Sequence, residues 1–462
     1  MNSRIPFGFL CTLLCCTALF CTTANAQLSS VFSDMFRTIL GPASLQKAGG
    51  QANHQNHFLH SDTVANDQIV PALNSLIAGN VSSFPLSSTG AGVIYEASAG
   101  LDPVTGLPLP AATSLGPIFG ETAKPLGAGK IALEVSYTYL DLASFRGLPT
   151  DQMQFAFTHQ EVPNRATGKP DSVLGLNPNE SDVITVTTDL HARAQIGALS
   201  ATVGVTKDLD IGVALPLISI TLSGTAKAVI SSYSFAVVGY ANHYFGGDSL
   251  HPVLQTAYPY NRTATGIGDL AFRAKYSIAR GGSLDAAALL DLRLPTGKTE
   301  DFLGTGKVTA HVWGILSKRI GDVTPHLNLG YTRNPADFQS DAMEFRAGFD
   351  SKFFSNLTFA LDILGHIDLN TSKAIHLAPG TTTIYDHPGK FPNPADSTGV
   401  VARQVANSNI PDSETDNIYG AAVGFRYSPA ERFIIVFNML VPLNNKGLRA
   451  ALAPTLGFSA SF

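Results

Sequence analysis

Ionisable side chains recur at every second position through the carboxy-terminal two-thirds of the chain. Asp269, Arg273 and Lys275 share one parity, as do Asp291 with Arg293, Glu344 with Arg346 and Asp350, and Asp362 with His366. In a strand, residues two apart point to the same side. Each set would therefore line one face. Acids and bases occur there in similar number, which suits mutual ion pairing more than a one-sign ion filter. Catalysis would need a nucleophile and a base within reach of each other. No such pair stands out on one strand, so no catalytic residue, no cofactor and no enzymatic activity are expected. His54, His57 and His60 are spaced by three in HQNHFLH, but their surroundings read as a linker. No metal site is expected from them.

Those faces imply the elements that carry them. From Lys130 onward the hydropathy period is two. Leu270, Phe272, Ala274 and Tyr276 oppose Ala271, Arg273 and Lys275; Met343, Phe345 and Phe349 oppose Glu344, Arg346 and Asp350. About twelve such strands can be read, including 182–204, 208–223, 267–278, 342–352, 355–368 and 447–462. Apolar parity in the second and third switches near Ala198 and Ser219, which suggests bulges or bends. Short turns such as 279–282 and 353–355 alternate with longer connections such as 141–181, 224–266 and 369–416. This is the pattern of an antiparallel transmembrane β-barrel. An even strand number places both barrel ends on one side.

Composition agrees. Only 14% of residues are charged, and the formal net charge is −5. There is no basic patch to suggest nucleic acid. Residues 1–26 read as a signal peptide, with Arg4, an apolar run from Phe7 to Phe20 and a small-residue cleavage site at Ala24–Ala26. Its export function implies a Gram-negative outer membrane, with outer-membrane lipids and the barrel-assembly machinery as partners. All four cysteines (Cys11, Cys15, Cys16, Cys21) lie in that segment. Residues 27–128 are mostly irregular, with a short amphipathic helix from Val31 to Leu40, and would stay in the periplasm or plug the lumen. The barrel would span 129–462.

Within the barrel, the sequence suggests three candidate sites. Asp269 and Arg293 should pair across a hairpin near the outer mouth, as a clamp or constriction. Arg273, Lys275, Glu344, Arg346, Asp362 and His366 should face the lumen. Tyr233, Phe235, Tyr240, Tyr244 and Phe245 would form either an apolar vestibule or a self-packed lid. The last strand, 447–462, puts Leu448, Leu452, Leu456, Phe458 and Phe462 on a lipid-like parity. Gly457 and Phe462 fit the assembly signal of outer-membrane clients.

Several segments also carry a family resemblance. Ser114–Gly120 (SLGPIFG), LDIGVALPL at 209–217, GIGDLAFRAKY at 266–276, LLDLRLPTGK at 289–298, FLGTGK at 302–307 and PHLNLGY at 325–331 occur in that order. Together they resemble an outer-membrane β-barrel family named for the meta-pathway of phenol degradation. That family is distantly similar to fatty-acid and aromatic-hydrocarbon channels. The resemblance implies passive uptake of small, hydrophobic or aromatic molecules and no catalytic residues. A non-transporting structural or binding barrel is the alternative; a lipid-modifying enzyme is a third.

Overall fold

The computed structural model describes residues 27–48, 58, 65–82, 114–161, 173–175, 180–281, 283–335, 339–386, 401–430 and 432–462. The signal-peptide stretch and the three linker histidines lie outside them.

Twelve antiparallel strands close a barrel. They are β1 Ile131–Phe145, β2 His191–Gly204, β3 Leu209–Ser231, β4 Gln255–Ile267 continuing as Leu270–Ala279, β5 Asp285–Leu294 and β6 Thr309–Ser317. The rest are β7 Val323–Arg333, β8 Ala342–Phe354, β9 Leu357–Asp368, β10 Ile418–Ala430, β11 Phe433–Pro442, and β12 in two pieces, Leu448–Ala450 and Ala453–Ser461. Each pairs with the next. β12 closes on β1, with Val135 opposite Phe458 and Ala132 opposite Ser461. Closure pairs the edge strands, which an apolar surround requires. The outward side chains are apolar: Ile131, Leu133, Tyr137, Phe272, Leu329 and Leu456 are 41–56% exposed. Short turns collect at one rim, called here the turn rim, and longer connections at the other, the loop rim.

The strands are not all of one height. β3 has 23 residues, about 75 Å at strand rise, against the roughly ten residues that cross a bilayer. Its upper part forms a collar beyond the apolar belt. This corrects two expectations. The 224–266 stretch is not one long loop. β3 runs on to Ser231, and β4 starts at Gln255 opposite Val229, in register down to Ile267 opposite Leu217. The 182–204 stretch is not one strand either. Val183–Thr187 pairs separately with the top of β3. A kink follows, with Asp189 at φ 47°, and β2 begins at His191.

The expected bulges near Ala198 and Ser219 are also absent. β2 and β3 pair without a register break from His191–Ser223 to Gly204–Asp210. Even-numbered residues face inward along the whole length. What changes is the surroundings. Low on β3, Ile211 and Val213 face out to the belt while Asp210 and Ala214 are buried inside. High on β3, Ile218, Ile220 and Leu222 are buried inside, while Ser219 and Thr221 face out and bond Thr265 and Thr263 on β4. Asp189, His191 and Arg193 therefore lie on the collar exterior. Arg193 there approaches Asp141 of β1 at 3.7 Å.

The collar's apolar interior is filled by the chain's own amino-terminal segment. Helix α1, Val31–Leu40, buries Val31, Phe32, Met35, Phe36, Ile39 and Leu40. These positions form the single face an amphipathic helix presents. Phe36 meets Phe155 and Phe157 edge-on, at 6.0 and 5.6 Å between centroids. Each such side chain contributes about 1.5–3 kcal/mol by leaving water. Arg262 of β4 fixes the helix by donating to Asp34 at 2.9 Å and to Ser30 at 2.8 Å. Helix α2, Val70–Ser82, descends from this core to the lumen.

Candidate functional site in the lumen

Residues 114–129 cross the turn-rim half of the lumen as an extended strap. Its backbone cannot form a ladder with the closed wall, so wall side chains satisfy it. One oxygen of Asp362 (β9) accepts from the N–H groups of Ile118, Phe119 and Gly120 at 3.2, 2.7 and 2.9 Å. The other lies 2.7 Å from Nε2 of His326 (β7). Asn328 grips Glu121 like a strand partner: its amide oxygen accepts from the Glu121 N–H at 2.6 Å, and its amide nitrogen donates to the Glu121 carbonyl at 2.9 Å. Arg346 donates to the Phe119 carbonyl at 2.6 Å. Arg426 donates to that of Leu115 at 3.3 Å. Gly120 must be glycine, because a Cβ there would stand 2.5 Å from the His326 ring.

The strap's one acid completes the charge balance. Glu121, almost fully buried, receives Arg273 at 3.0 Å and Lys275 at 3.5 Å from β4. Arg273 also faces Asp291 at 3.6 Å. Four of the lumen residues selected from sequence (Arg273, Lys275, Arg346 and Asp362) thus hold the strap. Glu121 was not among them, because it lies outside any alternating stretch. A buried charge left without its partner is costly, so wall and strap specify each other.

α2 lines a cavity of about 320 Å³ in the lumen, whose wall residues Arg273 and Arg346 also hold the strap. One side is polar: His311, Glu344, His366 and Asp368 meet there, with Glu344 3.6 Å from His311 and 3.7 Å from His366. Trp313 joins this side, with the Arg346 guanidinium 4.3 Å above its ring, a cation–π contact. Trp313 shares the inward parity of His311, the signal by which sequence could have found it. The opposite side is apolar, from Leu140, Leu142, Ile418, Leu440 and Leu448. The α2 residues Leu76, Gly79 and Asn80 line the end toward the loop rim.

Three expectations change here. Asp269 and Arg293 do not pair with each other. The Asp269 carboxylate accepts from the backbone of Gly297 and Thr305, at 3.0 and 2.8 Å, and from the Thr305 hydroxyl. Register is the reason: Arg293 stands opposite Ala271, and Asp269 falls in the break between the two parts of β4. Arg293 instead donates to the carbonyl of Ser82, the last residue of α2, where a helix end favours a cation.

The aromatic loop is not packed only on itself. Helix α3, Tyr233–Val238, follows β3, and Phe245 packs against the collar core. His243 and Tyr244 pair with Lys47 and Gln46 of the amino-terminal segment. Among the described residues, Tyr233, Phe235, Tyr240, Tyr244 and Phe245 line no part of the cavity.

The last strand is broken, not continuous. It is interrupted at residues 451–452, where the β12 steps from Thr455 to Ala450 outnumber by one the β1 steps from Thr138 to Leu142. Leu448 consequently points into the buried core, while Leu456 keeps its lipid-like exposure. Gly457 faces inward at the β1–β12 seam, opposite Ser136. Phe462 is exposed, and its backbone exchanges two hydrogen bonds with Ile131, at 2.8 and 2.9 Å.

No curated protein sequence matches this chain. Among solved structures, it is similar to an outer-membrane channel of Pseudomonas putida F1, with 11% identity over 74% of this chain and 98% of that one, at a TM-score of 0.40. A FadL homologue of Pseudomonas aeruginosa aligns at 10% identity over 82% and 98%, TM-score 0.32. The Ralstonia pickettii toluene transporter TbuX aligns at 10% identity over 73% and 90%, TM-score 0.25. Residues 176–438 match the family described as "Putative MetA-pathway of phenol degradation". That match covers more than half of the sequence, and the chain belongs to this family.

Proposed function

We propose that this protein is an outer-membrane channel for passive uptake of small hydrophobic or aromatic molecules. In this reading the loop rim faces outside the cell and the turn rim faces the periplasm. The single observation carrying the proposal is the two-faced cavity inside the barrel. Its apolar side offers an apolar body an alternative to water, and its polar side keeps the space hydrated. α2 lines the cavity, and the strap crosses the turn-rim half of the lumen. Passage then requires the strap to yield, and Asp362 is its principal holder. The family description, with its reference to phenol degradation, suits an aromatic cargo.

The strap also supports a second reading, a closed barrel with no transport. Solute flux into proteoliposomes separates the two. The channel reading expects benzyl alcohol entry above protein-free vesicles, and faster entry through Asp362→Ala. No protein-dependent flux in either form would leave the closed barrel as the function.

A further inference from the structure

One cavity arginine stands apart from the other three. Arg273 and Arg293 both approach Asp291, at 3.6 and 3.8 Å, and Arg346 approaches Glu344 at 4.0 Å. Arg449, at the start of β12, also lines the cavity. Its Nη2 donates to the carbonyl of Tyr419 at 2.7 Å. Among the described residues, no carboxylate comes within 4.0 Å of it. The acids on the cavity wall are engaged elsewhere. Glu344 and Asp368 face His366, and Asp416 takes the Arg146 guanidinium at 2.8 Å. Arg449 also sits on the apolar side, next to Leu448, Leu440 and Ile418.

The interruption of β12 at residues 451–452 turns Leu448 into the core. A bulge in β1, between Leu142 and Ser144, lies opposite Arg449, whose guanidinium reaches the lumen. An arginine has five N–H donors in a planar fork, and one carbonyl occupies part of that fork. A guanidinium beside aliphatic side chains, without a paired acid, favours an incoming anion. A carboxylate matches the fork in shape and charge.

We infer that Arg449 is the head-group site of the cavity and binds the carboxylate of an amphiphile whose apolar body lies against Leu440, Ile418 and Leu448. The preferred cargo class is then small aromatic or aliphatic carboxylates over neutral molecules of the same size. This inference rests on the channel reading and adds the head group to it.

The test is calorimetric binding of two matched probes, benzoate and benzyl alcohol, to the full-length protein in detergent. Wild type should bind benzoate about tenfold or more tightly than benzyl alcohol, as a charge-assisted hydrogen bond allows. Arg449→Gln should abolish that preference and leave benzyl alcohol affinity unchanged, and Arg449→Lys should retain part of it. Benzoate affinity unchanged in Arg449→Gln would overturn the assignment. Equal loss of both probes would overturn it too, showing a packing role. Wild type that binds both probes equally refutes the head-group site while leaving the channel standing, and this holds even if Arg449→Gln does not fold. Wild type that binds neither removes the cavity as a cargo site altogether, and the channel reading with it.

Discussion

The lower and upper parts of β3 form one continuous strand that faces two different surroundings. In the lower part, Ile211 and Val213 face out and Asp210 and Ala214 face in. In the upper part, Ser219 and Thr221 face out and Ile220 and Leu222 face in. The lower barrel has an apolar exterior around a polar interior; the collar is the reverse. The same reversal appears in what fills each part. The lower lumen holds a strap by charge and backbone hydrogen bonds. The collar holds α1 by packing of Phe32, Phe36 and Ile39. Apolar parity therefore reports what a face touches, and not which way it points.

The largest expected effect comes from putting a charge into the collar core. Leu222 is fully buried, so Leu222→Asp should destabilise by more than about 4 kcal/mol, through loss of packing and an unpaired buried carboxylate. Urea unfolding in vesicles would measure it. A cost below about 1 kcal/mol, the ordinary surface range, would place this residue outside a core.

Next comes acid. His159 lies in the collar against Phe58 and His243, at 5.3 Å from each ring. Burial, and then the neighbouring His243, hold its pKa down to about 3. The folded collar thus keeps this imidazole neutral, while the unfolded chain takes up a proton near pH 6.5. The stability contribution is fully present above pH 6.5 and is lost as pH falls toward 3. Between pH 7 and 4 the loss should be about 3 kcal/mol. Hydrogen exchange should show collar amides losing protection over that range, with the lower strands unaffected. His159→Gln should flatten this dependence.

A matched pair on the same strand runs down to the smallest effect. Val213→Arg, at the belt, should cost about 2–4 kcal/mol in a bilayer, as for a basic residue near the midplane. Thr221→Arg, of the same parity but in the collar, should stay within about 0.5 kcal/mol. Equal costs at the two positions would remove the distinction between belt and collar.

The same contrast explains what the sequence made legible. Where lipid faced one side and charge the other, as in Met343–Asp350, the alternation identified strand, face and lumen residues together. Where the exterior turned polar, a change of surroundings read as a bulge at Ser219–Ser223, and strand read as loop at Asn261–Thr265. Arg273, Lys275, Arg346 and Asp362 were legible as inward residues, but not as holders of Ile118–Glu121. Their partners are backbone groups of a segment with no period of its own. The Asp269–Arg293 pair failed for a geometric reason: the break in β4 and the helix end at Ser82 cannot be read from hairpin spacing. Leu448 was misplaced by the interruption of β12 at residues 451–452, which has no marker in its sequence.

All four cysteines lie within residues 11–21, so introduced cysteines can be labelled cleanly in a chain processed beyond them. The most direct test is labelling of intact cells with a membrane-impermeant maleimide, at Val213→Cys, Thr221→Cys and Leu222→Cys. Rapid labelling at position 221, and none at 213 or 222, is the predicted result. Labelling at 213 with protection at 221 would contradict the division of β3 into a lipid-facing lower part and a solvent-facing collar.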